Sequence, residues 1–290
     1  MREVHVVVPD GIDDPLRPSG GNVYDRRVCT GLRALGWTVR EHEVVGSWRD
    51  ADPDGAGRSR LASVLARIPD GATVLIGGFG TAGIPGELID GLIEQGAREL
   101  TVVNNNAGNG DTGLAALLKA GRVRKVICSF PRQVDSQVFD ALYRSGQLEL
   151  ELVPQGNLAE RLRAAGAGIG AFFTPTGFGT ELARNADGSE KETRVINGKS
   201  YVLEYPILGD VALIKAERGD RWGNLTYRKA ARNFGPVMAT AAKRTIASVY
   251  EIAELGSFDP EAVVTPGIHV SAVVRIPRVA TQAGGFKTAA

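Results

Sequence analysis

Short runs of β-branched and other apolar residues recur along the chain, separated by segments with helical spacing. Val4–Val8, Thr38–Val45, Thr73–Gly77, Leu100–Val103, Lys125–Phe130 and Leu148–Val153 read as strands. Helical patterns between them cover about 22–35, 58–67, 85–95, 112–120, 134–145 and 158–165. Such alternation predicts βαβ units and an α/β fold, a mostly parallel open sheet flanked by helices. Pro85 suits a first helical position, where a missing N–H costs nothing, and Gly96 suits a left-handed C-terminal stop. Asn157 with Glu160 three residues on resembles a capping box. After about residue 184 the texture changes. Ala186 to Lys191 is polar, and Thr193–Ile196 and Tyr201–Tyr205 flank Asn197-Gly198, the signature of a hairpin with a type I′ turn. The last third reads as strand-rich, with one helix around Pro236–Lys243, and the small polar tail 281–290 reads as frayed.

Composition narrows the class. The chain has 290 residues, enough for one large α/β domain or two small ones. Lys and Arg number 34 against 33 Asp and Glu, a net charge of +1, so bulk charge gives no reason to expect a nucleic-acid partner. Cys29 and Cys128 are the only cysteines, too few for a disulfide framework or a Cys-rich zinc site. No apolar run nears the roughly 18 residues of a membrane span, and no secretory core is visible, so a cytoplasmic protein without a membrane partner is expected.

Candidate chemistry concentrates at strand ends. Thr73 to Ile76 runs into Gly77-Gly78-Phe79-Gly80-Thr81-Ala82-Gly83, then a helix start, and residues 78–83 spell G-x-G-x-x-G. Glycines allow a ligand close to the backbone, and free N–H groups at a helix start favour phosphate or carboxylate. A dinucleotide site also wants an acidic residue at the end of the next strand; that strand ends in Asn104-Asn105-Asn106 instead. A tight turn with no ligand is the plain alternative. Asn104 to Asp111 and Val153-Pro154-Gln155-Gly156-Asn157 repeat the arrangement at two more strand ends. Asn and Gly also simply fill loops, but three such ends together suggest one crevice at the carboxyl edge of the sheet. Other motifs carry less. Gly198-Lys199-Ser200 falls in the hairpin turn, the three histidines lack metal-ligand spacing, and Cys128 reads as core. Glu149 and Glu151 alternate with leucines, as on the solvated face of a strand.

Asp70-Gly71, Val74 to Phe79, Gly83 and Pro85 together resemble the signature of the A subunits of class I CoA-transferases, and the resemblance runs from about residue 58 to 276. Gly108-Asn109-Gly110-Asp111, Cys128 to Gln133, Thr174 to Thr180, Gly219 to Leu225, Arg232 to Pro236 and Thr265 to Ile268 are most similar to the members that act on 3-oxoadipate. The resemblance implies a reaction in two halves. A glutamate carboxylate attacks the succinyl-CoA thioester, giving an acyl-glutamyl anhydride; CoA thiolate returns to form an enzyme–CoA thioester, which 3-oxoadipate attacks in turn. In that family the glutamate lies in the separate B subunit, within a Ser-Glu-Asn-Gly motif absent from this chain. The chain would then be half an active site within a hetero-oligomer, with no catalytic nucleophile, no metal and no permanently bound cofactor, the CoA thioester being substrate. The same resemblance implies that Gly77, Gly78, Phe79, Gly80, Thr81, Ala82 and Gly83 form the CoA-binding loop, and that Asn105, Asn106 and Gln155 line the reaction crevice. A dicarboxylate substrate wants cationic partners, for which Arg132 is a candidate.

Residues 1–57 fall outside this likeness. Val4 to Asp10, Arg17 to Arg26 and Gly36 to Val39 resemble the opening of a family 4, GT-B-fold glycosyltransferase, a βαβ fragment joined to the rest somewhere in 58–72. The chain therefore reads as a fusion or chimera of 1–57 and 58–280. A glycosyltransferase fragment and a non-catalytic α/β scaffold are the alternative functions; the first needs a donor-binding second domain, and nothing after residue 70 resembles one.

Overall fold

In the computed structural model, the described residues are 2–9, 20–44, 62–185 and 187–278. The chain divides into two compact units, Met1–Asp50 and Ala51–Ala290. The frayed-tail expectation, the loop before Gly20 and residues 58–61 of the 58–72 junction lie outside the described residues.

In the smaller unit, β1 (Arg2–Pro9) and β2 (Trp37–Val44) pair in parallel, Val4 opposite Val39, and α1 (Gly20–Ala34) connects them. Parallel neighbours need such a crossover, which is why the helix is long. Glu41 on β2 forms ion pairs with Arg26 and Arg33 of α1, whose hydrogen bonds hold its carboxyl below the ordinary value.

The larger unit is built on β3 (Thr73–Ile76), α2 (Gly86–Gln95), β4 (Leu100–Val103), α3 (Leu114–Lys119), β5 (Val123–Cys128), α4 (Gln137–Arg144), β6 (Glu149–Leu152) and α5 (Gln155–Gly166). It continues through β7 (Phe172–Thr174), β8 (Thr193–Ile196), β9 (Lys199–Glu204), β10 (Gly209–Lys215), β11 (Arg218–Asp220), β12 (Leu225–Thr226), α6 (Gly235–Ala241), β13 (Ala242–Val249), β14 (Glu251–Ala253) and β15 (Ala272–Arg275). Seven strands form one sheet in the order β15-β13-β10-β3-β4-β5-β6, and every pair in it is parallel. β4, β5 and β6 add on one side of β3, whereas β10 returns to its other side. The strand order thus reverses at β3, the point where open α/β sheets leave a crevice.

Both faces of the sheet are covered, so its central strands are largely apolar, whereas the edge strand β6 alternates Glu with Leu. Val74, Ile76, Val102, Val126 and Leu213 face one core with Leu88, Ile89, Leu92, Leu117 and Phe139. Their neighbours Leu75, Val103, Ile127, Ala212 and Ile214 face the other, with Leu158, Leu162 and Met238. Period-two alternation makes each strand serve two cores. Each such leucine, fully buried, contributes about 1.5–3 kcal/mol.

Most predicted elements appear, with instructive differences. The helix stop at Gly96 forms with φ 96°. The hairpin forms as β8–β9, with Asn197 and Gly198 both at positive φ and Ile196 opposite Lys199. β5 begins at Val123 and ends at Cys128, two residues earlier than the apolar run suggested. The helix expected over Pro236–Lys243 ends at Ala241, because Ala242 and Lys243 already belong to β13. The capping box at Asn157 is not formed: α5 starts at Gln155 after Pro154, Asn157 is buried, and Glu160 pairs with Arg163.

Candidate functional site

The glycine-rich loop leaves β3 at the reversal point. Phe79 and Ala82 exchange backbone hydrogen bonds of 3.0 Å, closing a four-residue turn with Gly80 and Thr81 at its tip. Asn233 fastens both ends of this turn: its Oδ1 accepts from Gly78 N at 3.1 Å, and its Nδ2 donates to Ala82 O at 3.0 Å. Gly83 has φ +73°, and a Cβ there would stand 2.5 Å from the carbonyl oxygen of Ala231. Only glycine satisfies both constraints.

The three asparagines after β4 divide their work. Asn104, fully buried, donates from Nδ2 to Ile76 O at 2.6 Å and accepts Asn106 N on Oδ1 at 2.8 Å, tying the end of β3 to the next loop. Asn106 accepts Gly108 N at 2.9 Å, while its own buried Nδ2 has no partner among the described residues. Asn106 lines a cleft of about 480 Å³ together with Gly80, Thr81, Ile84, Gly108 and Thr112. Asn105 belongs to a different cluster. Its Oδ1 accepts Gln155 Nε2 at 2.7 Å and Ser129 Oγ at 2.7 Å. Gln155 is the first residue of α5 and is exposed; Asn105 is 4% exposed.

The structure therefore joins Gly80 and Thr81 with Asn106 at one cleft, and Asn105 with Gln155 in a separate trio. Sequence reasoning missed two members. Ser129 was hidden because the expected strand ran through it to Phe130; the hydroxyl at the true strand end was the available signal. Asn233 lies in a quoted motif, yet nothing local announces that it reaches back 155 residues to Gly78.

The charged groups nearby are otherwise engaged. Arg132 donates from Nε to Asp140 Oδ1 at 2.7 Å. Glu151, expected on a solvated face, is instead half-buried between Lys125 and Arg161, at 2.5 Å and 2.9 Å. Burial raises its pKa, but the two hydrogen bonds outweigh that and hold the carboxyl below its ordinary value. Arg161 also faces Glu204 at 3.8 Å, and Lys191 closes the chain on Glu204 at 2.8 Å. Cys128 is fully buried, and burial pushes its thiol up to about 12, far from a thiolate nucleophile. Among the described residues no group of three or more His, Cys, Asp or Glu could hold a metal ion, and no helix is long and apolar enough to cross a membrane.

Comparison with known proteins identifies the family. The Coenzyme A transferase family profile matches residues 58–275. The A subunit of 3-oxoadipate CoA-transferase from Pseudomonas putida is 65% identical over 222 residues, covering 77% of this chain and 94% of its own length. The A subunit of succinyl-CoA:3-ketoacid coenzyme A transferase from Xanthomonas campestris pv. campestris (strain B100) is 50% identical, covering 76% and 90%. Among solved structures, glutaconate coenzyme A-transferase from Acidaminococcus fermentans shares the fold, with TM-score 0.65 and 24% identity over 75% of this chain and 74% of that one. A variant of the decarboxylase AibA/AibB superposes with TM-score 0.64 and 27% identity, covering 75% and 81%. With the profile matched over residues 58–275 and relatives at this identity, the chain belongs to the coenzyme A transferase family.

Proposed function

We propose that this chain is the A subunit of a heteromeric enzyme that moves CoA from succinyl-CoA to 3-oxoadipate in the cytoplasm, with a separate B subunit supplying the nucleophilic glutamate. The two relatives at 65% identity are both named as A subunits of 3-oxoadipate CoA-transferase, and the match covers 94% and 92% of them. That likeness favours acyl transfer over the decarboxylase chemistry that a similar fold also carries.

One observation carries the site. Asn105 Oδ1 is saturated by Gln155 and Ser129, which turns its amide so that Nδ2 is a donor with no partner among the described residues. When the partner's carboxylate attacks the thioester, negative charge develops on the carbonyl oxygen, and neutral donors held in place stabilise it without having to reorganise. Losing one such donor costs about 3 kcal/mol of barrier. In this reading Asn105 and Asn106 face the reacting group, and Gln155 lines the crevice and orients Asn105. Gly77 to Gly83 take the CoA arm against backbone, and the thioester serves as substrate with no resident cofactor. The smaller unit, 1–57 by sequence, is an appended βαβ fragment without catalysis of its own; hydrolysis of a sugar nucleotide by the purified chain would sink that assignment.

The test is CoA exchange between succinyl-CoA and 3-oxoadipate, with this chain alone and mixed with a matching B subunit. Exchange is expected only in the mixture, with ping-pong kinetics. Exchange by the chain alone, or none from a formed complex, would overturn the proposal.

A further inference from the structure

Arg228, Lys229 and Arg232 lie within five consecutive residues, and all three are exposed. None forms an ion pair with any described carboxylate, whereas Arg124, Arg132, Arg163, Arg184, Arg194 and Arg278, also exposed, do. Lys229 opens the 3₁₀ turn Lys229–Arg232 with φ 50°, a left-handed backbone costing a non-glycine residue roughly 1–2 kcal/mol. Strain of that kind persists only where surrounding contacts impose it. Here they do. Asn233 fastens the turn to Gly78 and Ala82, its Nδ2 also donates to Ala230 O at 2.8 Å, and Ala231 O is pressed against Gly83. The cationic turn and the glycine loop are therefore one interlocked piece.

The cleft lined by Gly80 and Thr81 has the other character. Among the described residues lining the 480 Å³ cleft are Asp90 and Asp111 and no Lys or Arg. A ligand with an uncharged arm and a polyanionic end would meet repulsion at the cleft and attraction at the turn.

We propose that Arg228, Lys229 and Arg232 form the anion-recognition edge of the glycine loop and bind the phosphate groups of the CoA thioester, leaving the uncharged pantetheine arm to the loop. The inference rests on the transferase reading above and adds to it where substrate affinity comes from. A screened, exposed cation contributes little alone, but three directed at one polyanion amount to roughly tenfold in affinity.

The experiment uses the assembled enzyme with two donors, succinyl-CoA and succinyl-pantetheine, the latter lacking every phosphate. The variant Arg228→Ala/Lys229→Ala/Arg232→Ala should raise KM for succinyl-CoA by roughly tenfold, with most of the loss in KM rather than kcat. The same variant should leave kcat/KM for succinyl-pantetheine as it was. Arg228→Lys/Arg232→Lys should restore most of the affinity. A charge-matched control at distant exposed sites, Lys119→Ala/Arg124→Ala/Lys199→Ala, should not change the preference for succinyl-CoA. An unchanged KM for succinyl-CoA, or equal losses on both donors, would overturn the proposal while leaving the transferase reading intact. If the wild-type complex turned over neither donor, the transferase reading would fall, and calorimetric titration of CoA into this chain would decide the anion site. Binding that the triple variant loses supports the site; no binding overturns it.

Discussion

Two polar networks of the larger unit share helix α5 and differ in completeness. Around Glu151, charge is matched link by link: Lys125 and Arg161 on Glu151, then Arg161 and Lys191 on Glu204. Around Asn105, every group is neutral and the bonding stops short, with Asn105 Nδ2 left over. A closed charged network suits structure, because partly buried ions destabilise unless they are paired. On the function proposed above, an open neutral one keeps a donor in reserve for a group that is not protein. On that proposal, the difference in bonding separates scaffold from site.

The largest effect is expected at the glycine loop. Gly83→Ala puts a Cβ against Ala231 O at a left-handed backbone, and turnover of the assembled enzyme should fall by at least about a hundredfold. Gly80→Ala, with nothing within 4 Å of its Cβ, should lose far less. If the two variants lose equally, the turn is not held from the 230–233 side.

Next, Gln155→Ala should lower kcat by roughly ten- to a hundredfold while assembly with the B subunit stays unchanged, as gel filtration would show. Full retention of turnover would remove the open network from the site.

Arg161→Ala should do the opposite. It leaves Glu151 and Glu204 with one cation each and should cost about 2–3 kcal/mol of stability by urea unfolding, with kcat of the folded enzyme little altered. A loss of kcat matching that of Gln155→Ala would erase the distinction between the networks.

The smallest effect is in pH. Because the folded carboxyl of Glu151 titrates below its ordinary 4.5, its contribution is complete above that value and is lost as pH falls through the depressed one. Unfolding midpoints should therefore fall more steeply below pH 4.5 for the native chain than for Glu151→Gln, and parallel curves would contradict the assignment.

How much of this was visible beforehand depends on the range of the interaction. β4 was legible to the residue, and the Asn197-Gly198 turn and the Gly96 stop were read from local backbone chemistry alone. The likeness that named Gly77 to Gly83, Asn105, Asn106 and Gln155 was also local, carried by short motifs. Asn157 misled because the capping rule sees four residues, whereas Pro154 had already started α5 and buried Asn157 near Glu204. Glu151 misled similarly. Alternation with leucine says that a residue points away from its neighbours, not whether two cations wait on that side.

By itself, then, the sequence determined the alternation of strands and helices, the turns that need glycine and the family from residue 58 onward, because period, φ preference and motif are properties of neighbouring residues. Only the tertiary structure decided that Asn233 ties the glycine loop to a cationic turn, that Asn105 and Asn106 serve separate clusters, and that Glu151 is paired. Those are contacts between groups as far as 155 residues apart, and they exist only once the sheet has brought its strand ends together.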